Sequence, residues 1–233
     1  RDEQEYRDAT DSTDPEVVAA RKRFEMLLAD LPPPDPNDPI VVEYGKRMGK
    51  SAGSPKAIIP EATTLAVGSE PVRIECRHFV TLETDATVSL SHDGSSLLVA
   101  FDVQNEAAAS LRREPTQWGE CDGVELSVYG GGLGNLVLRA YPDGSIESHK
   151  NVGGELQPLS LPVGHVSVQA SVTATGWAAR IRLTEDLFGG VLPEEIKLNA
   201  GGYRTGARTG WFAWINKGRE NFRPKNQGII ELR

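Results

Sequence analysis

The sequence predicts an all-β fold, an antiparallel β-sandwich or jelly roll that carries an N-terminal helical appendage and a linker. Three observations point there. Short runs of alternating apolar and polar residues recur beyond about residue 65. Asp-Gly turn signals separate several of them, and apolar residues at helical spacing cluster only near the N-terminus. With 24 Gly and 15 Pro in 233 residues, the composition suits many short elements joined by turns.

The N-terminal segment, residues 1–64, is expected to hold one helix. Asp14-Pro15-Glu16 offers an N-cap, a proline at the first helical position and an acid in the first turn. Val17, Val18, Phe24, Leu27, Leu28 and Leu31 then recur at helical spacing until Pro32-Pro33-Pro34 stops the pattern. From Pro32 to about Pro60 the Pro, Asp, Gly, Ser and Lys content reads as a linker, or an arm lying across a surface. The boundary with the β-domain, residues 65–233, is placed there.

Strands are expected at Pro71 to Arg77, Ala86 to Ser91 and Ser95 to Val103, the last two joined by the hairpin turn His92-Asp93-Gly94. Val124, Leu126 and Val128 alternate with Glu125, Ser127 and Tyr129, so period 2 sends the aliphatics to a core and the polar set to the other face. Leu136 to Tyr141 and Ser145 to Ser148 flank Pro142-Asp143-Gly144, a second hairpin signal. His165 to Val172, Gly176 to Leu183, Ile196 to Ala200, Trp211 to Ile215 and Gly228 to Leu232 bring the strand count near ten, with one helical turn at Thr184 to Phe188. Trp177 falls in phase with Ala179, Ile181 and Leu183 on a core face. Trp214 shares a face with Phe212, and Trp211 points the other way.

Charge and motifs exclude several classes of function. A formal net charge of -8, with no basic stripe interleaved with aromatics, argues against nucleic acid and anionic membrane as partners. No run of about 18 apolar residues exists to span a bilayer. The glycines of Gly45-Lys46-Arg47-Met48-Gly49-Lys50-Ser51 stand one residue too close for a phosphate-binding loop. Gly130 to Gly134 leads into another strand, where a dinucleotide fold needs a helix, so it reads as a hairpin loop. His78, His92, His149 and His165 show no ligand spacing, so no catalytic residue, metal or cofactor is assigned. Cys76 and Cys121 have no zinc or redox spacing; one bridge or two half-buried thiols both fit.

What remains is a polar strand face beside aromatic rings. Trp118 precedes its strand in a Pro-, Gln- and Gly-containing loop, and Phe222 sits in the polar loop Asn221-Phe222-Arg223-Pro224-Lys225-Asn226. Large rings in loops can stack on the apolar faces of a sugar while flanking acids, amides and arginines take its hydroxyls, or they can fold back onto the sheet. Glu120 or Asp122 together with Glu125 could also supply a glycosidase pair.

These features occur in an order that resembles carbohydrate-binding module family 9, over roughly residues 70 to 233. The blocks are Ser96 to Val103, then Trp118 with Asp122-Gly123-Val124-Glu125, then Gly176-Trp177-Ala178-Ala179-Arg180-Ile181, then Ile196 to Asn199. The tail runs from Trp214-Ile215 through Asn221-Phe222-Arg223-Pro224 to Gly228-Ile229-Ile230. The resemblance implies a β-sandwich that clamps a saccharide between two rings, with Trp118 and Phe222 as those rings and Glu125 as the acceptor of sugar hydroxyls. Asp122, Arg223 and Asn226 complete the carbohydrate-binding set that it implies.

The chain departs from the pattern in places. Trp118 lies one residue further from Asp122, Phe222 stands where a Trp is usual, and the loop after it is one residue shorter. Leu138 takes the position of a sugar-binding Arg, with Arg139 turned to the opposite face. The family also holds structural calcium, whose ligands have no match here.

The function this implies is a non-catalytic module of a larger exported polysaccharide-active protein, extracellular or periplasmic, binding an oligosaccharide or polysaccharide beside a catalytic domain in the same parent chain. The helix segment is slightly similar to the final helix of sulfatase-like or hydrolase domains, in keeping with that attachment. The competing reading is a structural sandwich with a degenerate sugar site that packs on a partner enzyme domain. A heme-binding sandwich of a related kind would need a Met and His pair, and the two methionines, Met26 and Met48, lie in the N-terminal segment.

Overall fold

The computed structural model describes residues 15, 16, 18–20, 22, 23, 56–105, 111, 112, 118–206, 208–217 and 224–233. The chain divides into two compact units, Arg1–Met48 and Gly49–Arg233. In the first, Pro15, Glu16, Val18, Ala19, Ala20, Lys22 and Arg23 are helical; the rest of the expected helix and residues 24–55 lie outside the described residues.

The second unit is an all-β sandwich, with thirteen strands among the described residues: β1 Thr64–Val67, β2 Val72–His78, β3 Thr84–His92, β4 Ser96–Gln104, β5 Gly123–Tyr129, β6 Asn135–Ala140, β7 Ile146–Val152, β8 Glu155–Pro158, β9 Val166–Thr173, β10 Gly176–Thr184, β11 Glu195–Arg204, β12 Gly210–Ala213 and β13 Gly228–Leu232. One run of neighbours is β8-β7-β6-β5-β11 and the other is β2-β3-β4-β10-β9. The long strand β11 connects them. Its first half pairs with β13 and its second half with β12, which reaches β2 through Phe212↔His78 and Ala213↔Arg77. All these pairings are antiparallel; β1 joins β13 in parallel.

Alternation decides which faces meet. Val124, Leu126 and Val128 of β5 share one apolar core with Val88, Leu90, Val99, Phe101, Ile181 and Leu183 from the other run. Trp177 lies in that core at 1% exposure, as the phase of its strand predicts; Trp214 is 2% and Trp211 36% exposed, so the face that Trp214 shares with Phe212 is the inner one, a choice the alternation alone left open.

The two Asp-Gly turns are built alike. Asp93 Oδ1 accepts from the backbone N–H groups of Ser95 and Ser96, Asp143 Oδ1 from that of Ser145, and the following glycines, Gly94 and Gly144, adopt φ of 90° and 87°. Residues 56–58 lie along the sandwich: Lys56 N–H donates to the Phe79 carbonyl at 2.8 Å, and Ile58 bridges Asn216. Cys76 and Cys121 are both buried thiols with no disulfide, and burial, followed by the nearby Asp85 charge, pushes the Cys76 thiol up.

Candidate functional site

The outward face of β5, β6, β7 and β11 collects the polar and aromatic groups. Register sets Glu125 opposite Arg139 across the β5–β6 ladder, Arg139 opposite Glu147 across β6–β7, and Gly201 opposite Glu125 on the other side. Arg139 Nε donates to Glu125 Oε2 at 2.9 Å, with the two side chains 13% and 14% exposed. The guanidinium carbon stands 4.5 Å from the centroid of the Trp118 ring, which makes it both ion partner and cation–π partner.

Trp118 is held by other rings. It meets Trp211 edge-on at 5.6 Å and Tyr141 at 6.2 Å, and Tyr203 continues the cluster at 4.9 Å from Trp211. A glycine beneath it makes room: a Cβ on Gly123 would come within 2.7 Å of the Trp118 ring. The Trp118 ring therefore lies against the start of β5.

Burial raises the Glu125 carboxyl above its ordinary value, and Arg139 offsets only part of that. Burial lowers His149 on β7, and the Arg139 charge adds to it; its Nδ1 is buried with no hydrogen-bond partner. Burial also raises the Tyr141 phenol, with the Glu147 carboxylate as its second cause. The face thus offers a carboxylate, a guanidinium, a neutral imidazole and the edges of several rings. Arg139 keeps donors beyond the one it gives Glu125, so both partners can still reach hydroxyl groups.

Of the residues singled out by sequence, the structure brings Trp118 and Glu125 together through Arg139. Asp122 does not join them. It is fully buried, and its carboxylate accepts from Arg112 N–H at 2.8 Å, Thr205 N–H at 3.0 Å, the Thr205 hydroxyl and the Asn105 amide. With its oxygens spent inside the fold, it is no sugar acceptor and no partner for Glu125 in glycosidase chemistry.

Asn226 ends a 3₁₀ turn, Pro224–Asn226, and is 5% exposed. Its carbonyl accepts from Asn199 Nδ2, as does that of Ile215. Asn199 pairs with Ser127, one step along the same outward face from Glu125. The chain on both sides of residues 218–223 is thereby tied to this face. Phe222 and Arg223 lie outside the described residues.

Arg139 corrects one expectation. Leu138 is fully buried in the core, and Arg139 takes the outward place beside Glu125. Its alternation with Leu136, Leu138 and Ala140 was the available signal, once the loop at 130–134 is allowed to set the β5–β6 register. His149, Tyr141, Trp211 and Tyr203 carried no comparable signal, since cross-strand pairing and loop packing bring them to the site.

No protein-family model and no curated protein sequence matches the chain. Solved structures do. A protein of Bacteroides uniformis, provisionally described as carbohydrate-binding, is similar with a TM-score of 0.56 at 14% identity, over 73% of this chain and 99% of that one. A carbohydrate-binding module of family 9 from Caldicellulosiruptor kristjanssonii, solved with cellotriose, is similar with a TM-score of 0.55 at 12% identity, over 73% and 93% of the two chains. A structure of a family 9 module from the same organism with glucose gives 0.53, 12%, 73% and 95%. The β-sandwich described here thus has a fold similar to that of family 9 carbohydrate-binding modules.

Proposed function

We propose that the β-sandwich is a carbohydrate-binding module and that it takes a saccharide on the outward face of β5 and β6. The observation that carries the reading is the Glu125–Arg139 pair at 2.9 Å beside Trp118, on a polar face, in a fold shared with modules solved with cellotriose and glucose. Glu125 accepts sugar hydroxyls, Arg139 donates to them, and Trp118 supplies an apolar wall. Phe222, Arg223 and Asn226 complete the set of sugar contacts that the family resemblance implies. The module serves a larger exported polysaccharide-active protein, holding its catalytic domain near the glycan.

Titration calorimetry with glucose, cellobiose, cellotriose and a panel of other oligosaccharides tests this. The expected affinity is on the order of 10⁻⁶ to 10⁻³ M, because each new hydrogen bond replaces one to water. Glu125→Ala and Trp118→Ala each abolish the heat. Binding by either variant as tight as that of the parent contradicts the site.

One observation favours a second reading. The Arg139 guanidinium already covers a face of Trp118, as expected of a site closed on itself in a sandwich that packs on an enzyme domain. An intact fold that ignores every glycan yet binds that enzyme domain would select it.

A further inference from the structure

We propose that the sandwich carries a second ligand site, on the outer face of the opposite sheet, and that it takes an acidic saccharide with its uronate carboxylate on Arg180. The outer residues of five strands stand side by side there in one row: Arg73, Ser89, Ala100, Arg180 and Gln169. Adjacent strands lie about 4.8 Å apart, so the small side chains of Ser89 and Ala100 leave a trough between the longer ones. Its volume is about 420 Å³, within the range of small-ligand sites, and a neighbouring hollow of about 470 Å³ shares Ser89, Ala100, Gln169 and Arg180 with it.

The chemistry of the two hollows differs in a way that orients a ligand. Arg180 and Arg182 line the first, with no carboxylate among its lining residues, on a chain whose formal net charge is -8. Arg182 is engaged, donating to Ser96 Oγ at 2.9 Å and reaching Asp93 at 3.4 Å. Arg180 makes no hydrogen bond or ion pair among the described residues, so its planar fork is available to a carboxylate.

The second hollow adds Asp102 and Ser171. An acid and a hydroxyl suit sugar hydroxyls and repel a second carboxylate placed against them. A saccharide with its uronate over Arg180, and its hydroxyls running along Gln169 and Ser89 toward Asp102, satisfies both ends. Neither hollow exposes an aromatic face, since Phe101 is fully buried. Binding therefore depends on charge and not on stacking, which separates this site from the one under Trp118.

The test is an NMR titration of the full chain with digalacturonate, with galactobiose as the neutral counterpart and a diglutamate peptide as a non-sugar dicarboxylate. Digalacturonate is expected to shift amides of β3, β4, β9 and β10 with a dissociation constant on the order of 10⁻³ M. Raising salt from about 0.05 to about 0.5 M should weaken it severalfold. Arg180→Ala, an exposed position that the core does not use, should weaken it about tenfold or more. Glu125→Ala should leave it unchanged, so failure of the Glu125 site and failure of this one read out separately. Shifts confined to β5 and β6, undiminished binding by Arg180→Ala, or equal binding of galactobiose or diglutamate would overturn the proposal.

Discussion

Arg139 donates from Nε to Glu125 Oε2 at 2.9 Å, while its guanidinium carbon stands over the indole of Trp118, 4.5 Å from the ring centroid. One residue thus couples a loop to a strand. The Arg139 charge adds a cation–π contact to the rings that hold Trp118, and it offsets part of the rise that burial imposes on Glu125.

The first prediction concerns pH. Burial raises the Glu125 carboxyl, so the folded chain holds that proton to higher pH than the unfolded chain does. The stability this provides is full below the unfolded carboxyl range and is lost as pH rises through the folded value. Arg139→Gln removes the group that offsets the rise and moves the folded value higher still. Its stability deficit should be small below about pH 4 and grow to about 1–3 kcal/mol by about pH 7. Urea denaturation across that range measures it; a deficit constant with pH contradicts the coupling.

Gly123→Ala probes the loop. Its new Cβ would sit 2.7 Å from the Trp118 ring, so the ring must lift from the sheet. Trp118 lies in a loop and can move, so the expected cost is modest, about 1–2 kcal/mol. Tryptophan emission should shift to the red, and the calorimetric signal with saccharide should fall with it.

Asp122→Ala should act on the fold and not on ligand contacts. It strips acceptors from Arg112 N–H, Thr205 N–H and the Asn105 amide, all bound to a fully buried carboxylate. The expected loss is about 3 kcal/mol or more in chemical denaturation. A variant as stable as the parent but deficient in binding would return Asp122 to the site.

Asp85 and Arg204 form a buried ion pair, 3.0 Å apart with both side chains at 0% exposure, between β3 and the end of β11. Asp85→Ala leaves a buried cation behind and should cost about 3–5 kcal/mol. The double change Asp85→Leu with Arg204→Met should recover most of that. Equal destabilisation by the single and double variants contradicts the desolvation argument.

The legibility of this structure in its sequence follows from how local each signal is. The β3–β4 and β6–β7 hairpins were readable because Asp93-Gly94 and Asp143-Gly144 carry their turn chemistry within a few residues. Strands β1 and β8 were not expected. Thr64–Val67 is four residues whose partner β13 lies at the other end of the chain, and Glu155–Pro158 pairs at an edge with almost no apolar pattern.

Trp118 and Glu125 could be placed beside one polar face because a loop ring and a strand phase are both local. Asp122 was misread for the opposite reason. An acid before a glycine looks like an exposed turn, and what buries it is Thr205, 83 positions away. Arg139 was assigned to the wrong face because its place depends on β5–β6 register, which the glycine-rich loop sets.

A crystal structure of the chain with cellotriose tests the central claim most directly. The account predicts sugar density on the outward face of β5 and β6, with ring hydroxyls within hydrogen-bond reach of Glu125 and Arg139 and a ring against Trp118. A saccharide bound elsewhere on the sandwich, with the Glu125–Arg139 pair untouched, would contradict it.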